Sequence, residues 1–359
     1  MKVIHVIDSL MVGGAEKVLV DQTNLLHSHG WNVSVLVLGG AYPLKSALAA
    51  GISFYFVDRK SKTSWKGIHT ILKLCQRNDI VHVHMRHNFR YLALIKLLFF
   101  KRFKIIHQDH FGDIDSFRHV PFLVSFLSRF NPWYIGVSQN LTDWAKEKLN
   151  LPSDKVLLLP NIVRIQHLPQ PGIKIDNSNR PLRLLVVANF REAKNHSFVF
   201  NLAPALYKKY GCIEIHCYGQ ILDRAFYESL VEQTQSIGIN KLIFFHTDCN
   251  NIQPLLQSFD LAIHPALRES GPLVLIEYLG HELPFVAFKT GQVAQQVACE
   301  LPEFFLDSFE LSVWFERIKF LFEHRDEYGI RMKESFIKYY SEDRYIENLG
   351  RFYLKIMDL

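Results

Sequence analysis

The feature that most restricts the fold of this 359-residue chain is an alternation of strand and helix that runs, stops and starts again. Lys2 to Ile7 is a β-rich run. Ala15 to about His29 repeats its apolar residues at helical spacing, Val18 with Leu25 and Leu19 with Leu26, and Asn32 to Leu38 is β-rich again. Parallel strands need a crossover of about this length, and such crossovers are right-handed. The rhythm continues through strands at 52–57, 79–84, 104–107, 133–137 and 156–159, with helices at 65–77, 90–100, 120–129 and 139–149. Arg164 to Pro181 breaks it with Pro169, Pro171, Gly172 and Pro181. A second series follows, with strands starting at Leu182, Ile213, Lys241, Asp260 and Pro284, and 308–357 reads as mostly helical. The expected fold class is α/β: two tandem Rossmann-like doubly wound domains with a cleft between them. The N-terminal domain is expected over 1–165, a linker over 166–181, and the C-terminal domain over 182–341. A terminal helix over 342–359 is expected to pack back on the N-terminal domain.

Ligands of doubly wound sheets bind outside the carboxyl ends of the strands, so the loops there are where function is sought. The most informative lies in His264 to Gly280. A short apolar run ends at Pro265, Gly271-Pro272 opens a helix, and Leu273 to Ile276 are apolar on every side, which predicts a buried helix carrying Glu277. A buried carboxylate must be paired, either with a ligand's hydroxyls or with a neighbouring core arginine. The helix N-terminus suits an anion such as a phosphate. After the first strand of the C-terminal domain, Arg191 and Lys194 are three apart, close enough to converge on a diphosphate, or to form a solvated basic turn.

In the N-terminal domain Gly13-Gly14 follows the first strand and lets backbone approach a ligand. His82 and His84 share one face of a strand, and His110 lies in a loop beyond the next one, placed for substrate. Two strand histidines read first as hydrogen-bonded structure or a substrate contact. A metal site completed by His107, Asp109 or His110 is the weaker reading.

Charge narrows the partners. Residues 1–165 carry 21 Lys and Arg against 11 Asp and Glu, a net +10, whereas 166–359 carry 20 against 24, a net −4. The strongest cluster, from Leu94 to Lys104, alternates bulky apolar residues with Lys96, Lys101, Arg102 and Lys104. That pattern suits peripheral contact with an anionic membrane; nucleic acid is not expected, because no recognised binding motif accompanies the charge. Five scattered cysteines without a CxxC pair indicate neither a disulfide framework nor a zinc knuckle. With no signal-like leader and no long apolar span, a cytoplasmic location is expected, peripheral at the inner face of the membrane.

Taken in order, these motifs resemble the retaining nucleotide-sugar glycosyltransferases of family four (glycosyltransferase group 1), with the GT-B fold. The residues that carry the likeness are Gly13-Gly14-Ala15-Glu16, His82-Val83-His84, His110, Pro160-Asn161, Arg191 to Asn195, and above all Glu269 and Glu277 with seven residues between them, followed by Pro284 to Ala287 and Thr290-Gly291. Asn189, Ser270, Gln292 and Gln295 depart from the family pattern. The resemblance implies transfer of a sugar from a nucleoside diphosphate sugar, a UDP-sugar first, to an acceptor hydroxyl; the basic apolar stretch around Lys101 and Arg102 points to a glycan or lipid-linked acceptor in cell-envelope or capsular polysaccharide assembly. It implies no metal and no cofactor beyond the donor itself. His110, Glu269, Arg191 and Lys194 would be the catalytic residues. Gly13, Gly14, Arg191, Lys194, Glu269, Ser270, Gly271, Pro272, Leu273 and Glu277 would bind the donor. A nucleotide-sugar epimerase or hydrolase of the same shape, or a non-catalytic membrane-docked subunit, are the alternatives.

Overall fold

A computed structural model describes residues 1–58, 64–112, 114, 119–165 and 180–358. All but the last two residues of the linker expected at 166–181 lie outside the described residues. The chain divides into two compact units, one of Met1–Arg164 with Tyr340–Leu359, the other of Ile165–Tyr339.

The first unit is built on seven parallel strands: β1 (Lys2–Ile7), β2 (Asn32–Val37), β3 (Ser53–Phe56), β4 (Ile80–His84), β5 (Lys104–Asp109), β6 (Trp133–Gly136) and β7 (Val156–Leu158). Their order across the sheet is β3-β2-β1-β4-β5-β6-β7. Between them run α1 (Gly14–Ser28), α2 (Trp65–Gln76), α3 (Arg86–Leu98), α4 (Phe122–Phe130) and α5 (Gln139–Lys148). A parallel sheet covered on both faces needs strands that are apolar on both sides, which is why Val3, Ile4, Val6 and Ile7 are all fully buried. Ile4, Val6, Val81 and Val83 pack with Ile68, Phe89, Leu92, Leu127 and Trp144 from the helices α2 to α5. Val3, Ile80 and Ile106 face the other way, against Leu25 and Leu26 of α1. The right-handed crossover rule accounts for this division, because the chain moves one way across the sheet up to β3 and the other way from β4. The reversal leaves a switch point between β1 and β4.

Two of the boundaries that differ from the sequence reading bear on the strand ends. The helix α3 starts at Arg86, four residues before Arg90, because Met85 at φ 73 turns the chain sharply out of β4. The strand β5 runs past His107 to Asp109, since Gln108 and Asp109 keep pairing with Ile135 and Gly136.

The second unit has six parallel strands: β8 (Leu182–Val187), β9 (Ile213–Tyr218), β10 (Ile243–His246), β11 (Leu261–His264), β12 (Phe285–Phe288) and β13 (Phe305–Leu306). They are ordered β10-β9-β8-β11-β12-β13. Its helices are α6 (His196–Tyr210), α7 (Arg224–Ser236), α8 (Leu273–Gly280), α9 (Gly291–Val297), α10 (Leu311–Glu323) and α11 (Arg325–Tyr340). Gln253–Ser258 is a 3-10 turn. Below the sheet the buried Asp260 accepts from both terminal nitrogens of Arg180, at 3.0 and 2.6 Å, and from the Arg183 N–H at 2.8 Å. A bidentate grip of this kind offsets the cost of a buried carboxylate. The switch point here falls between β8 and β11.

The last helix, α12 (Glu342–Met357), belongs to the first unit. Tyr345, Leu349, Phe352, Tyr353 and Ile356 form one stripe buried with Val3, Leu25 and Ile80. Burying each such side chain is worth about 1.5–3 kcal/mol, so the stripe holds the helix firmly to the sheet. Its Tyr353 hydroxyl meets His82 Nδ1 at 2.6 Å.

Candidate functional site

Two loops flank the switch point of the second unit. The first leaves β8 at Ala188, passes Arg191, makes a 3-10 turn at Glu192–Lys194 and enters α6 through Asn195 in the left-handed region, φ 55. The second leaves β11 at His264 and enters α8, with Pro272 (φ −66) as the cap rather than the first helical residue. The Leu267 N–H donates to the Ala193 carbonyl at 2.9 Å and ties the loops together. Across this tie the Lys194 ammonium pairs with Glu269 Oε1, and His264 Nε2 reaches the same oxygen at 3.1 Å. Burial alone pushes the Glu269 carboxyl up; Lys194 and then His264 overcome that and hold it at about 2. The carboxylate is therefore ionised and held between Lys194 and His264.

The surrounding backbone is built to keep it there. Gly291, at φ +77, presses on this loop: a Cβ there would lie 3.0 Å from the Glu269 carbonyl oxygen and 3.1 Å from Glu269 Cβ. Next to it the Gln292 N–H donates to the Ser270 carbonyl at 2.7 Å. Gly271 and Pro272 are buried, and Pro272 supplies no side-chain cap to α8. Glu277 is 4% exposed and sits one turn after the half-exposed Leu273, on the same helical face. Arg191 is exposed, whereas Lys194 turns inward. In this structure Lys194 is engaged by Glu269 and Arg191 is exposed. Asn189 holds the neighbouring loop by accepting from the Gln220 N–H at 3.1 Å. His264 joins this cluster although the sequence reading left it without a role; its signal was its place at the strand end, five residues before Glu269.

In the first unit the candidate residues also gather at strand ends around the switch point. Gly13 caps α1 in extended backbone, and a Cβ on Gly14 would meet nothing within 4 Å among the described residues, which leaves room for a ligand there. His110 follows β5 and meets His84 Nδ1 through Nε2 at 3.2 Å; His84 Nε2 in turn meets His5 Nδ1 at 3.1 Å. His5 was not foreseen. It joins because β1 pairs with β4 in a register that sets His5 against His82. Burial lowers His5 to about 3 and His110 to about 4, and burial with neighbouring imidazoles lowers His82 and His84 far below the usual range. All four are therefore neutral at pH 7.

The weaker metal reading needs correction in its partners. His107 stacks on Phe89 at 4.5 Å, and Phe89 belongs to the core under α2 to α5, whereas His82 meets Tyr353 of α12 on the other face. Asp109 accepts from Arg86 Nε at 2.6 Å and from the Tyr134 hydroxyl at 2.8 Å. Among the described residues, the set whose nitrogens lie within 4.8 Å of one another is His5, His82 and His84, with His5 and His84 already at hydrogen-bond distance.

Comparison with known proteins gives the family. The family described as Glycosyltransferase Family 4 matches residues 12–167, and that described as Glycosyl transferases group 1 matches 173–341. EpsF of Bacillus subtilis (strain 168), provisionally named a glycosyltransferase, is 26% identical over 176 residues, which span 47% of this chain and 45% of EpsF. The chain thus matches about half the length of that relative. Among solved structures, Anabaena Alr3699/HepE in complex with UDP and glucose superposes with a TM-score of 0.80 at 14% identity, over 99% of this chain and 100% of the other. A variant of S. aureus TarM, in complex with Fondaparinux, alpha-GlcNAc-glycerol and UDP, gives 0.75 at 11% identity, over 98% and 99%. At these identities the superpositions speak for the fold alone. With its first half matched by the family 4 description and its second by that of group 1, on a GT-B scaffold, this chain belongs to the group 1 glycosyltransferases.

Proposed function

We propose that the chain moves a sugar from a nucleoside diphosphate sugar, a UDP-sugar foremost, to an acceptor hydroxyl with retention of configuration and without a metal ion. The observation that carries this reading is the Lys194–Glu269–His264 cluster at the switch point of the second unit. Loss of the diphosphate develops negative charge, and fixed positive groups stabilise such charge best in a partly buried site. Lys194, Arg191 and the start of α8 at Gly271-Pro272-Leu273 supply them. Glu269 and Ser270 face the hydroxyls of the transferred sugar, and Glu277 holds the ribose. In the first unit His110 contacts the sugar, and Gly13 and Gly14 line the phosphate and acceptor side. The leaving phosphate takes the acceptor's proton, so no side chain serves as general base. The acceptor is a lipid-linked or glycan intermediate of envelope or capsular polysaccharide, met at the inner face of a membrane.

The test is a panel of nucleotide sugars screened for thermal stabilisation, because a ligand that binds the native state alone raises its stability as ln(1 + [L]/Kd). A UDP-sugar is expected to stabilise the chain, and Glu277→Ala to remove that effect together with transfer. Undiminished turnover in Glu277→Ala would overturn the assignment. Fast release of nucleotide from every donor without an acceptor would mark a hydrolase instead.

A further inference from the structure

The first unit carries an exposed aromatic and cationic belt that no part of the sugar-transfer reading uses. In α4 the buried side chains are Val124, Leu127 and Ser128, whereas Phe122, Phe126 and Phe130, spaced by four, form a stripe on the outside. Their rings touch in sequence, 6.2 Å from Phe122 to Phe126 and 5.4 Å from Phe126 to Phe130. The stripe continues on the neighbouring helix, because Lys96 Nζ donates to Asn131 Oδ1 at 2.7 Å and so joins the ends of α3 and α4. There Phe99 meets Trp65 of α2 edge-on at 5.5 Å, and Phe100 projects beside them. Phe100 is 91% exposed, Phe122 82% and Trp65 74%. Phe100 also sits at φ 49, a left-handed backbone that a bulky residue adopts only at a cost. A chain selected for stability alone would place Gly or Asn there.

Charge identifies the occupant. No Asp or Glu occurs in α2, α3 or α4, and the one carboxylate between residues 64 and 107 is Asp79, which already accepts from the Lys2 N–H at 2.7 Å. Lys66, Lys73 and Arg129 are exposed on these helices, and Arg102 is exposed in the link that follows α3. We infer that this belt is a docking surface for an anionic lipid bilayer, with Phe100, Phe122, Phe126 and Trp65 entering the headgroup layer and the cations resting on lipid phosphates. Aromatic rings with basic neighbours are suited to that layer, and each cation near an anionic surface adds to the attraction. A second copy of the chain does not fit, because self-pairing would set cation against cation. No helix among the described residues is long and apolar enough to cross a membrane, so contact through this belt is peripheral. This docking extends the reading of an acceptor at a lipid surface. It is measured as binding without turnover, so it can fail while sugar transfer stands, and the reverse.

The experiment is co-sedimentation of the full chain with vesicles of phosphatidylcholine alone or mixed with phosphatidylglycerol at roughly 7:3. Binding to the mixed vesicles only is expected, and it should fade at about 0.5 M salt as the charges are screened. Phe100→Asn, which suits the left-handed backbone, combined with Phe122→Ser should weaken binding roughly tenfold or more, and Arg102→Glu with Arg129→Glu should abolish it. All four positions are exposed, so the unfolding midpoint and nucleotide-sugar binding of these variants should match the parent. A folded parent that ignores phosphatidylglycerol vesicles overturns the assignment. Vesicle binding that survives both variants overturns it too, as does a homodimer, an acidic protein or an RNA that occupies this face while vesicles do not bind.

Discussion

Mild acid should unfold the first unit while the carboxylate pairs of the chain are still intact. His5, His82, His84 and His107 are fully buried there, and burial holds their imidazoles below the ordinary value, His5 at about 3 and His107 at about 4. In the unfolded chain each titrates near pH 6.5. The folded-state value of each histidine is depressed, so its contribution is fully present above pH 6.5. It is lost as pH falls below that, down to the folded-state value, because the unfolded chain takes up the protons. Between about pH 7.5 and about 5.5 each histidine that stays neutral when folded costs about 1.4 kcal/mol, so these four remove about 5 kcal/mol. Total stability is about 5–15 kcal/mol for an ordinary protein, so the loss is a large share of it. Asp8 and Glu269, held at about 2, keep their charge throughout this interval, which leaves the histidines as the cause.

The assay is urea unfolding at a series of pH values, each point sampled by a brief hydrogen-exchange pulse at a common pH so that peptides of the two units report separately. The first unit should lose protection at progressively lower urea from about pH 6.5 downward. In the second unit His196 is held at about 4 in the same way. Its smaller share predicts a shallower response there. His107→Phe should lower the acid slope of the first unit by about a fifth, because His110, held at about 4, adds to the other four. A urea midpoint of the first unit that does not move between about pH 7.5 and about 5.5 would refute the reasoning, since it would require these imidazoles to protonate freely inside the fold.

Two further outcomes concern the second unit. Lys194→Met strands the Glu269 carboxylate with His264 alone, so stability should fall by about 3 kcal/mol. Adding Glu269→Gln should restore part of the loss, while both variants lose UDP-sugar binding by calorimetry; additive losses in the double variant would show that the pair is not coupled. Gly291→Ala combines a left-handed backbone with a Cβ pressed on the Glu269 loop, so about 1–2 kcal/mol of stability should be lost and the donor KM should rise with kcat less affected. An unchanged KM would mean that this loop does not set the position of Glu269.

The architecture was legible because a parallel sheet covered on both faces writes itself as apolar runs separated by helices, and Val3 to Ile7 or Leu182 to Val187 admit few other readings. Elements too short or too dependent on their surroundings were not. The strand β13 has two residues, below any periodicity, and exists because Ala287 and Phe288 at the sheet edge find partners in Phe305 and Leu306. The start of α3 was hidden because Arg86 looks like a loop residue until Asp109 and the Trp144 ring, 4.1 Å from its guanidinium carbon, are brought to it. The candidate site shows the same division. Glu269, Glu277 and Lys194 stand out locally, but the Lys194–Glu269 pair spans 75 residues and depends on β8 and β11 being neighbours. The histidine chain depends likewise on β1 lying beside β4. In both units the missing information was strand order, and in both the decisive neighbours are the strands on either side of the switch point. There the crossovers lead away in opposite directions, and in the second unit the loops from two distant stretches of chain meet through the Leu267–Ala193 hydrogen bond. The residues that sequence reasoning missed, His5 and His264, lie on strands beside that point, where chemistry is decided by adjacency rather than by local pattern.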